Sequence, residues 1–489
     1  MQWDDLMNLA RTLRTSAFVT LTLTALACGA GAESPSDGLP AQTGQYGVDG
    51  ANADGGAAAT GLESALAQAG FTVQAGSFEF MDMTACCQTS CSGNNPSSPY
   101  ATFYVPPGPG QTAPNSKARA DGMSAAYRLR KDEAIVYVGT TPPQASYFGF
   151  TPYLMERTDP SGAVRTPFAS LSETLNNLVI GTDTGGPFER TTAVIAAADS
   201  TTTDRARAAL LLSGVPASAI NVVTFDPTKG HFGLDETSDT FGVLFRMAVV
   251  QDAAKRDAYI AHPPGSVFRI TPSAADAGST PLPSPAARAK ASSPNEAPLR
   301  PAVNRLGDAI KAAYPGYDAQ TVRVDEGVPD PDACINGTAV CAGDNRDTTY
   351  PGTPPRVLFK DDDDFYVVFG ANHQVTGKTA YSNVSVYALE KLVGIKSVAS
   401  NEYPGSAAKY VPSDAQVGKL YAWKIARKCN GEAFCMEIPK GACPTGIENG
   451  ALGNITFRTY LEPSSKTAPD PATLVGDRVL VFKKKAVAP

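Results

Sequence analysis

The chain has 489 residues, of which 43% are apolar and 18% charged, and its net charge is −7. That length supports two or three domains with their own cores, while the acidic balance and the lack of a basic stripe argue against nucleic acid as a partner. With 44 glycines and 39 prolines, many turns and long loops are expected.

The first 28 residues read as an export signal. Arg11 and Arg14 precede an apolar run, Ser16 to Ala27, that ends in the small residues Ala25-Leu26-Ala27. Cys28 follows directly, and the junction resembles a bacterial lipobox, although Ala25 stands where a larger aliphatic residue is usual. The resemblance implies that the Cys28 thiol is acylated and anchors the chain to a membrane. The alternative is cleavage after Ala30-Gly31-Ala32, which discards Cys28 and secretes the chain freely. Residues 29–60 hold too little apolar surface to repay ordering and are expected to form a disordered tether. Its reach is on the order of 30 Å.

Residues 61–270 are expected to form an α/β domain with a parallel, βαβ-containing sheet. Leu62, Ala65, Leu66 and Ala69 have helical spacing, with Gly70 placed to end the helix. Phe78 and Phe80 alternate with polar neighbours, as in a strand. Ala134 to Val138 and Thr192 to Ala198 read as buried strands. Thr203 to Leu212 reads as a helix opened by a Thr201-x-x-Asp204 capping box. Ile220 to Phe225 is a third strand, and Phe241 to Ala254 reads as a second helix. Strand, helix and strand within so short a span imply a right-handed parallel crossover.

Residues 271–300, rich in Pro, Ala and Ser, read as an interdomain linker or a surface loop. Residues 301–489 are expected to form a mainly antiparallel β domain. Val303, Leu306, Ala309 and Ile310 mark one helix. Strands are expected at Phe365 to Phe369, Tyr381 to Ala388, Tyr421 to Ile425, Ile455 to Leu461 and Val479 to Phe482. Within the second of these, Val384, Val386 and Ala388 alternate with Asn383, Ser385 and Tyr387, the pattern of a sheet with one wet face. No apolar run in the body reaches the roughly 18 residues needed to span a bilayer.

Beyond Cys28 the cysteines are Cys86, Cys87, Cys91, Cys334, Cys341, Cys429, Cys435 and Cys443. Three fall in the first region and five in the second. Full oxidation therefore requires at least one bridge between the regions, linking them into one body. Either Cys86 or Cys87 is expected to pair with Cys91 and the other to reach the C-terminal region. Cys334 with Cys341 is a plausible local loop, as is one pair among Cys429, Cys435 and Cys443. A crosslink closing so long a loop stabilises by roughly 5 kcal/mol in the chain-entropy model. Metal binding is the alternative for Cys87-x3-Cys91, but the other cysteine spacings are too wide for common zinc sites.

No G-x-S-x-G elbow, HExxH helix, P-loop or GxGxxG is present. Candidate chemistry is therefore positional. In open parallel sheets ligands bind beyond the carboxyl ends of the strands. Those ends carry Thr140-Thr141, Asp199-Ser200, and Asp226 followed by His231, with Asp235 and Asp239 close behind. Asp199, Asp226 and His231 are the candidate catalytic groups for acid–base work. The bland reading makes Asp199 a helix cap, Asp226-Pro227 a turn and Asp239 an N-cap. Asn372, His373, Lys378 and Tyr381 form a candidate binding set on a loop between strands, against the bland reading of a solvated loop. No cofactor is required by the sequence. Calcium is considered at Asp361 to Asp364 and at Asp344-Asn345-Arg346-Asp347, each of which also reads as a solvated turn. Tyr147-Phe148-Gly149-Phe150 and Trp423 could stack on sugars or lie in the core.

Two functions remain. The first is a lipid-tethered, disulfide-stapled envelope protein that binds a ligand or partner or is structural. The second is an exported hydrolase acting on an ester or glycan through Asp199, Asp226 and His231.

Overall fold

The computed structural model describes residues 53–115, 117–273, 279–327 and 330–485. The leader 1–28, Cys28 and the tether up to residue 52 lie outside the described residues. The described residues from Ala57 onward form one compact unit. Helix α1 (Ala53–Gln68) starts within the stretch expected as a tether. It ends at Gly70, whose φ of +83° turns the chain in the left-handed region that glycine tolerates.

The N-terminal half contains β1 (Phe71–Phe80), β2 (Tyr100–Tyr104), β3 (Ala134–Thr140) and the long β4 (Ala145–Thr158). Three two-residue pieces, β5 (Val164–Arg165), β6 (Ala169–Ser170) and β7 (Leu175–Asn176), pair with β4. After them come β8 (Thr191–Ala197), helix α2 (Ser200–Leu212), β9 (Ile220–Thr224), β10 (Thr240–Val250), helix α3 (Ala253–Ala261) and β11 (Gly265–Pro272). They build one sheet in the order β5-β4-β10-β2-β1-β11-β3-β8-β9.

Within that sheet only β8 and β9, joined through α2, run parallel. The expected parallel sheet is thus corrected to an antiparallel one with a single crossover at its edge. The physical reason is that no other pair of neighbouring strands in it is connected through an α-helix. A second correction concerns Phe241 to Ala254, expected as a helix. Most of it is β10, paired with β4 and β2, and α3 begins only at Ala253. β10 is largely buried, so its apolar run carries no period to separate strand from helix.

Both faces of the central strands are covered. Ile135 and Tyr137 of β3 join Phe78, Phe103, Phe150 and Phe245 in an aromatic core, whereas Ala134 and Val136 pack with Leu62, Leu66, Ala206 and Leu210 beneath α1 and α2. Ring centroids in that core lie 4.9 Å apart for Phe150 and Phe245 and 5.4 Å apart for Phe78 and Phe245. The Phe148 and Phe150 rings considered for sugar stacking belong to this core.

The C-terminal half holds helix α4 (Arg300–Ala312), β12 (Tyr317–Val322), the short helix α5 (Pro331–Ile335), β13 (Thr348–Thr349), β14 (Arg356–Val357), β15 (Phe365–Ala371), β16 (Tyr381–Ala388) and β17 (Val393–Ala399). It closes with β18 (Leu420–Ala426), β19 (Cys435–Glu437), β20 (Leu452–Tyr460) and β21 (Arg478–Lys484). One sheet has the order β12-β21-β15-β18-β19, the other β13-β20-β16-β17 with β14 on β20, and all pairs but β18–β19 are antiparallel. Tyr366 and Val368 of β15 meet Val384, Val386, Ile455 and Phe457 between the two sheets. Phe365, Val367 and Phe369, on the opposite face, pack under Val303, Leu306 and Ile310 of α4.

The remaining face of β16 departs from the expectation of a wet surface, because Asn383, Ser385 and Tyr387 are buried. Tyr381 and Tyr460 on this face pack with Tyr147 of β4 and Ala248 of β10. Asn383 also donates to Asn95 Oδ1 at 2.7 Å. The alternation does mark an amphipathic strand, but its polar side meets polar protein instead of water. Where the two halves meet there is therefore a polar seam.

Four disulfides fasten this body: Cys86–Cys91, Cys87–Cys443, Cys334–Cys341 and Cys429–Cys435. The second joins residues 356 positions apart. The stretch 279–300 has no strand but is bonded at several points. Leu282 N donates to Ala198 O at 2.9 Å, Arg288 pairs with Glu173 at 3.2 Å, and Glu296 N donates to Thr473 O at 2.9 Å.

Candidate functional site

Asp199 lies two residues beyond β8, and one carboxylate oxygen accepts a 2.8 Å bond from Thr202 N, capping α2. The segment from Thr280 crosses the same strand end, with Ser200 N donating to Thr280 O at 2.8 Å. Asp226 lies just beyond β9 and accepts from Thr228 N at 2.9 Å and Thr228 Oγ1 at 2.7 Å. Burial raises the Asp226 pKa, but the Thr228 hydroxyl and amide outweigh it and hold the carboxyl below its ordinary range. His231 is 65% exposed, and its Nδ1 lies 3.8 Å from Asp239 Oδ1. Asp239 itself is buried against Arg157 at 2.6 Å. Parallel register sets Ala197 opposite Thr224, so Asp199 and Asp226 share one end of the sheet. His231 makes no hydrogen bond with either among the described residues.

The four residues of the binding set are buried inside the protein, and their side chains turn to separate partners. His373 Nδ1 lies 2.9 Å from both Glu296 oxygens, and its Nε2 lies 3.6 Å from Asp477 Oδ2. Thr376 Oγ1 and Val475 N donate to Glu296 at 2.5 and 2.9 Å, and Tyr421 OH donates to Asp477 at 2.6 Å. Burial alone would push the His373 pKa down. The Glu296 and Asp477 charges overcome it and raise it to about 10. Lys378 forms a fully buried pair with Glu462. Asn372 Oδ1 accepts from Gln374 N at 3.2 Å, and Tyr381 OH accepts from Asn95 Nδ2 at 2.9 Å.

The acidic runs are also engaged by protein. Asp362 accepts from Asn449 at 3.0 Å, and Asp363 pairs with Lys484 at 2.9 Å. Asp344 accepts from Ser170 N at 2.8 Å and Ser170 Oγ at 2.6 Å. Asp347 accepts from Asn176 Nδ2 at 2.9 Å and Tyr147 OH at 3.0 Å. Burial raises the Asp347 pKa to about 7, against the opposing pull of Arg288, Asn176 and Tyr147. Cys86, Cys87 and Cys91 are the cluster whose ligand atoms lie within 4.8 Å of one another, and disulfides already use all three.

Sequence reasoning misses one further polar constellation. It lies in the seam, where Tyr147 and Tyr153 of β4 and Arg246 of β10 face Tyr381 and Tyr387 of β16 and Arg458 and Tyr460 of β20. Tyr381 and Tyr460 stack at 4.8 Å, and Tyr147 sits 4.8 Å from Tyr460. Tyr100 is held up to about 12 by burial, with both arginine charges opposing. The signal available in the sequence is a run of strand tyrosines with an arginine two residues from one of them (Arg458, Tyr460), on faces that alternation alone assigns to water. A separate groove of about 260 Å³ runs between α4 and β21, lined by Asn304, Lys311 and Arg478; none of the candidate residues lines it.

No family model and no curated protein sequence matches the chain. Among solved structures, it is similar to an uncharacterized protein from Burkholderia cenocepacia at 10% identity and a TM-score of 0.39, over 88% of this chain and 87% of that one. It is also similar to the VPA0106 protein from Vibrio parahaemolyticus at 11% identity and a TM-score of 0.36, over 88% of this chain and 98% of that one. The four disulfides point to maturation in an oxidising environment. No described helix is long and apolar enough to cross a membrane.

Proposed function

We propose that the chain is an exported, lipid-anchored protein of a bacterial cell envelope that binds a ligand or partner rather than transforming it. The observation that carries this reading is the pairing of all eight cysteines of the body into disulfides, one of them spanning 356 positions. Such a set forms and persists in an oxidising compartment. The leader supports it independently, with Cys28 as the acylated residue. Hydrolysis of an ester or glycan by Asp199, Asp226 and His231 draws less support, because Asp199 caps a helix, Asp226 closes a turn and His231 bonds to neither.

The test is peptide mass analysis without reduction, on protein purified from the membrane fraction of its native cells. Four linked pairs, no free thiol in the body and an N-terminal peptide beginning at an acylated Cys28 are expected. Free thiols at Cys86, Cys87 and Cys91, or an unprocessed leader, would overturn the reading.

A further inference from the structure

Three of the bridged cysteines stand at one place. The Sγ atoms of Cys86, Cys87 and Cys91 all lie within 4.8 Å of one another, although they belong to two different disulfides. Cys86–Cys91 closes a local loop of 5 positions, whereas Cys87–Cys443 ties the two halves together across 356. Disulfides exchange when a thiolate attacks one of their sulfurs. A thiolate released from the local bridge is therefore formed beside a sulfur of the long one.

Exposure and anchoring give this cluster a direction. Cys86 and Cys87 belong to a short turn, Ala85–Gln88, that has no buried residue, while Cys91 is only 4% exposed. A reductant arriving from solvent meets Cys86, and Cys91 is the sulfur that leaves. Cys91 stays in place when that bond opens, because Cys91 N donates to Lys391 O at 2.8 Å and Gly93 N donates to Leu392 O at 2.7 Å. Met83 O lies 2.9 Å from Cys86 Sγ, placed to accept the hydrogen of a Cys86 thiol. Attack on Cys87 by Cys86 itself is disfavoured by covalent geometry. Neighbouring Cα atoms stand about 3.8 Å apart across a trans peptide, short of the roughly 4.4–6.8 Å that a disulfide spans.

We propose that Cys86–Cys91 is the entry point for a small dithiol and that Cys91 relays the exchange to Cys87, so that reducing the local bridge opens the long one. One sulfur of the dithiol attacks Cys86 Sγ and expels Cys91 as a thiolate. Its second sulfur then displaces Cys86 as a thiol, and the reagent leaves as a cyclic disulfide. Cys91 Sγ attacks Cys87 Sγ and a Cys87–Cys91 bond forms. The Cys87–Cys443 bond breaks with its electron pair on Cys443 Sγ, which takes up a proton. Two electrons and two protons have then passed from the dithiol to Cys86 and Cys443. The covalent link between the halves is lost, and a free thiol stands on the loop between β19 and β20. The inference does not depend on the membrane anchor or on the binding function proposed above.

The test treats the full oxidised chain with one equivalent of dithiothreitol, quenches with N-ethylmaleimide and maps the peptides by mass without further reduction. A Cys87–Cys91 bridge with label on Cys86 and Cys443 is expected. Label on Cys86 and Cys91 with Cys87–Cys443 intact would overturn the proposal. So would label on Cys443 while Cys86–Cys91 stays closed, or label confined to the other two bridges. Replacing the relay by Cys86→Ser with Cys91→Ser should slow labelling of Cys443 at least about tenfold at micromolar dithiol, since a tethered thiol acts at millimolar effective concentration. An unchanged rate would mean that the reagent reaches Cys87–Cys443 directly, which also overturns the proposal. If that variant fails to fold, the wild-type map decides.

Discussion

An imidazole with 1% exposure ordinarily gives up its proton, because burial penalises the charged form. His373 does the reverse, since Glu296 and Asp477 flank it on opposite ring nitrogens. Its pKa rises from 6.5 to about 10 on folding, so the folded state holds the proton more tightly. The resulting stabilisation is complete below the unfolded value of 6.5 and is lost as pH climbs through about 10. His373→Gln should lower stability by about 3–5 kcal/mol near neutral pH, by leaving two carboxylates enclosed without a cation. Urea unfolding at about pH 6, 8 and 10 should show wild-type stability falling across the range and a flatter profile in the variant. Parallel loss in both proteins would mean that His373 is not the titrating group. The sequence singles out His373 on its loop, but Glu296 lies 77 positions away in a stretch with no periodicity, so the partner cannot be read from it.

At the scale of elements, legibility follows whether local pattern and burial agree. Helix α4 is readable from its apolar period, and strands β15, β18 and β21 as apolar runs within seven residues, too short for a helix. β10 is not, because enclosure on two sides removes the alternation that distinguishes a strand. β16 reads correctly as a strand and wrongly as half-solvated, since alternation records which face is polar and not what covers it. Helix α2 is legible, but its expected cap at Thr201 is displaced by Asp199, which performs that role. This yields a test that separates capping from charge. Asp199→Ala should cost about 1 kcal/mol, and Asp199→Asn, which accepts the same bond from Thr202 N, should remain near wild type in thermal unfolding. Equal loss in both would assign the carboxylate's charge, not its cap, as the important property.

For the whole molecule, the question is what makes two unlike halves one body. The seam supplies the noncovalent part, through tyrosine stacking and bonds such as Asn95 to Asn383 and Asn176 to Asp347. Cys87–Cys443 supplies the covalent part, and the uneven division of cysteines between the halves makes such a bridge legible in the sequence alone. Its stabilisation should act mainly on the unfolded chain, by removing conformations from a loop of 356 positions. The chain-entropy relation gives about 6 kcal/mol for it and only about 2 kcal/mol for the seven-position loop of Cys334–Cys341. Cys87→Ser with Cys443→Ser should therefore cost more than Cys334→Ser with Cys341→Ser, leave near-UV circular dichroism unchanged and steepen the urea dependence as the unfolded state expands. Equal losses, or a disrupted native spectrum in the long-range variant alone, would show that the bridge holds the seam together in the folded state and that the noncovalent contacts there do not suffice.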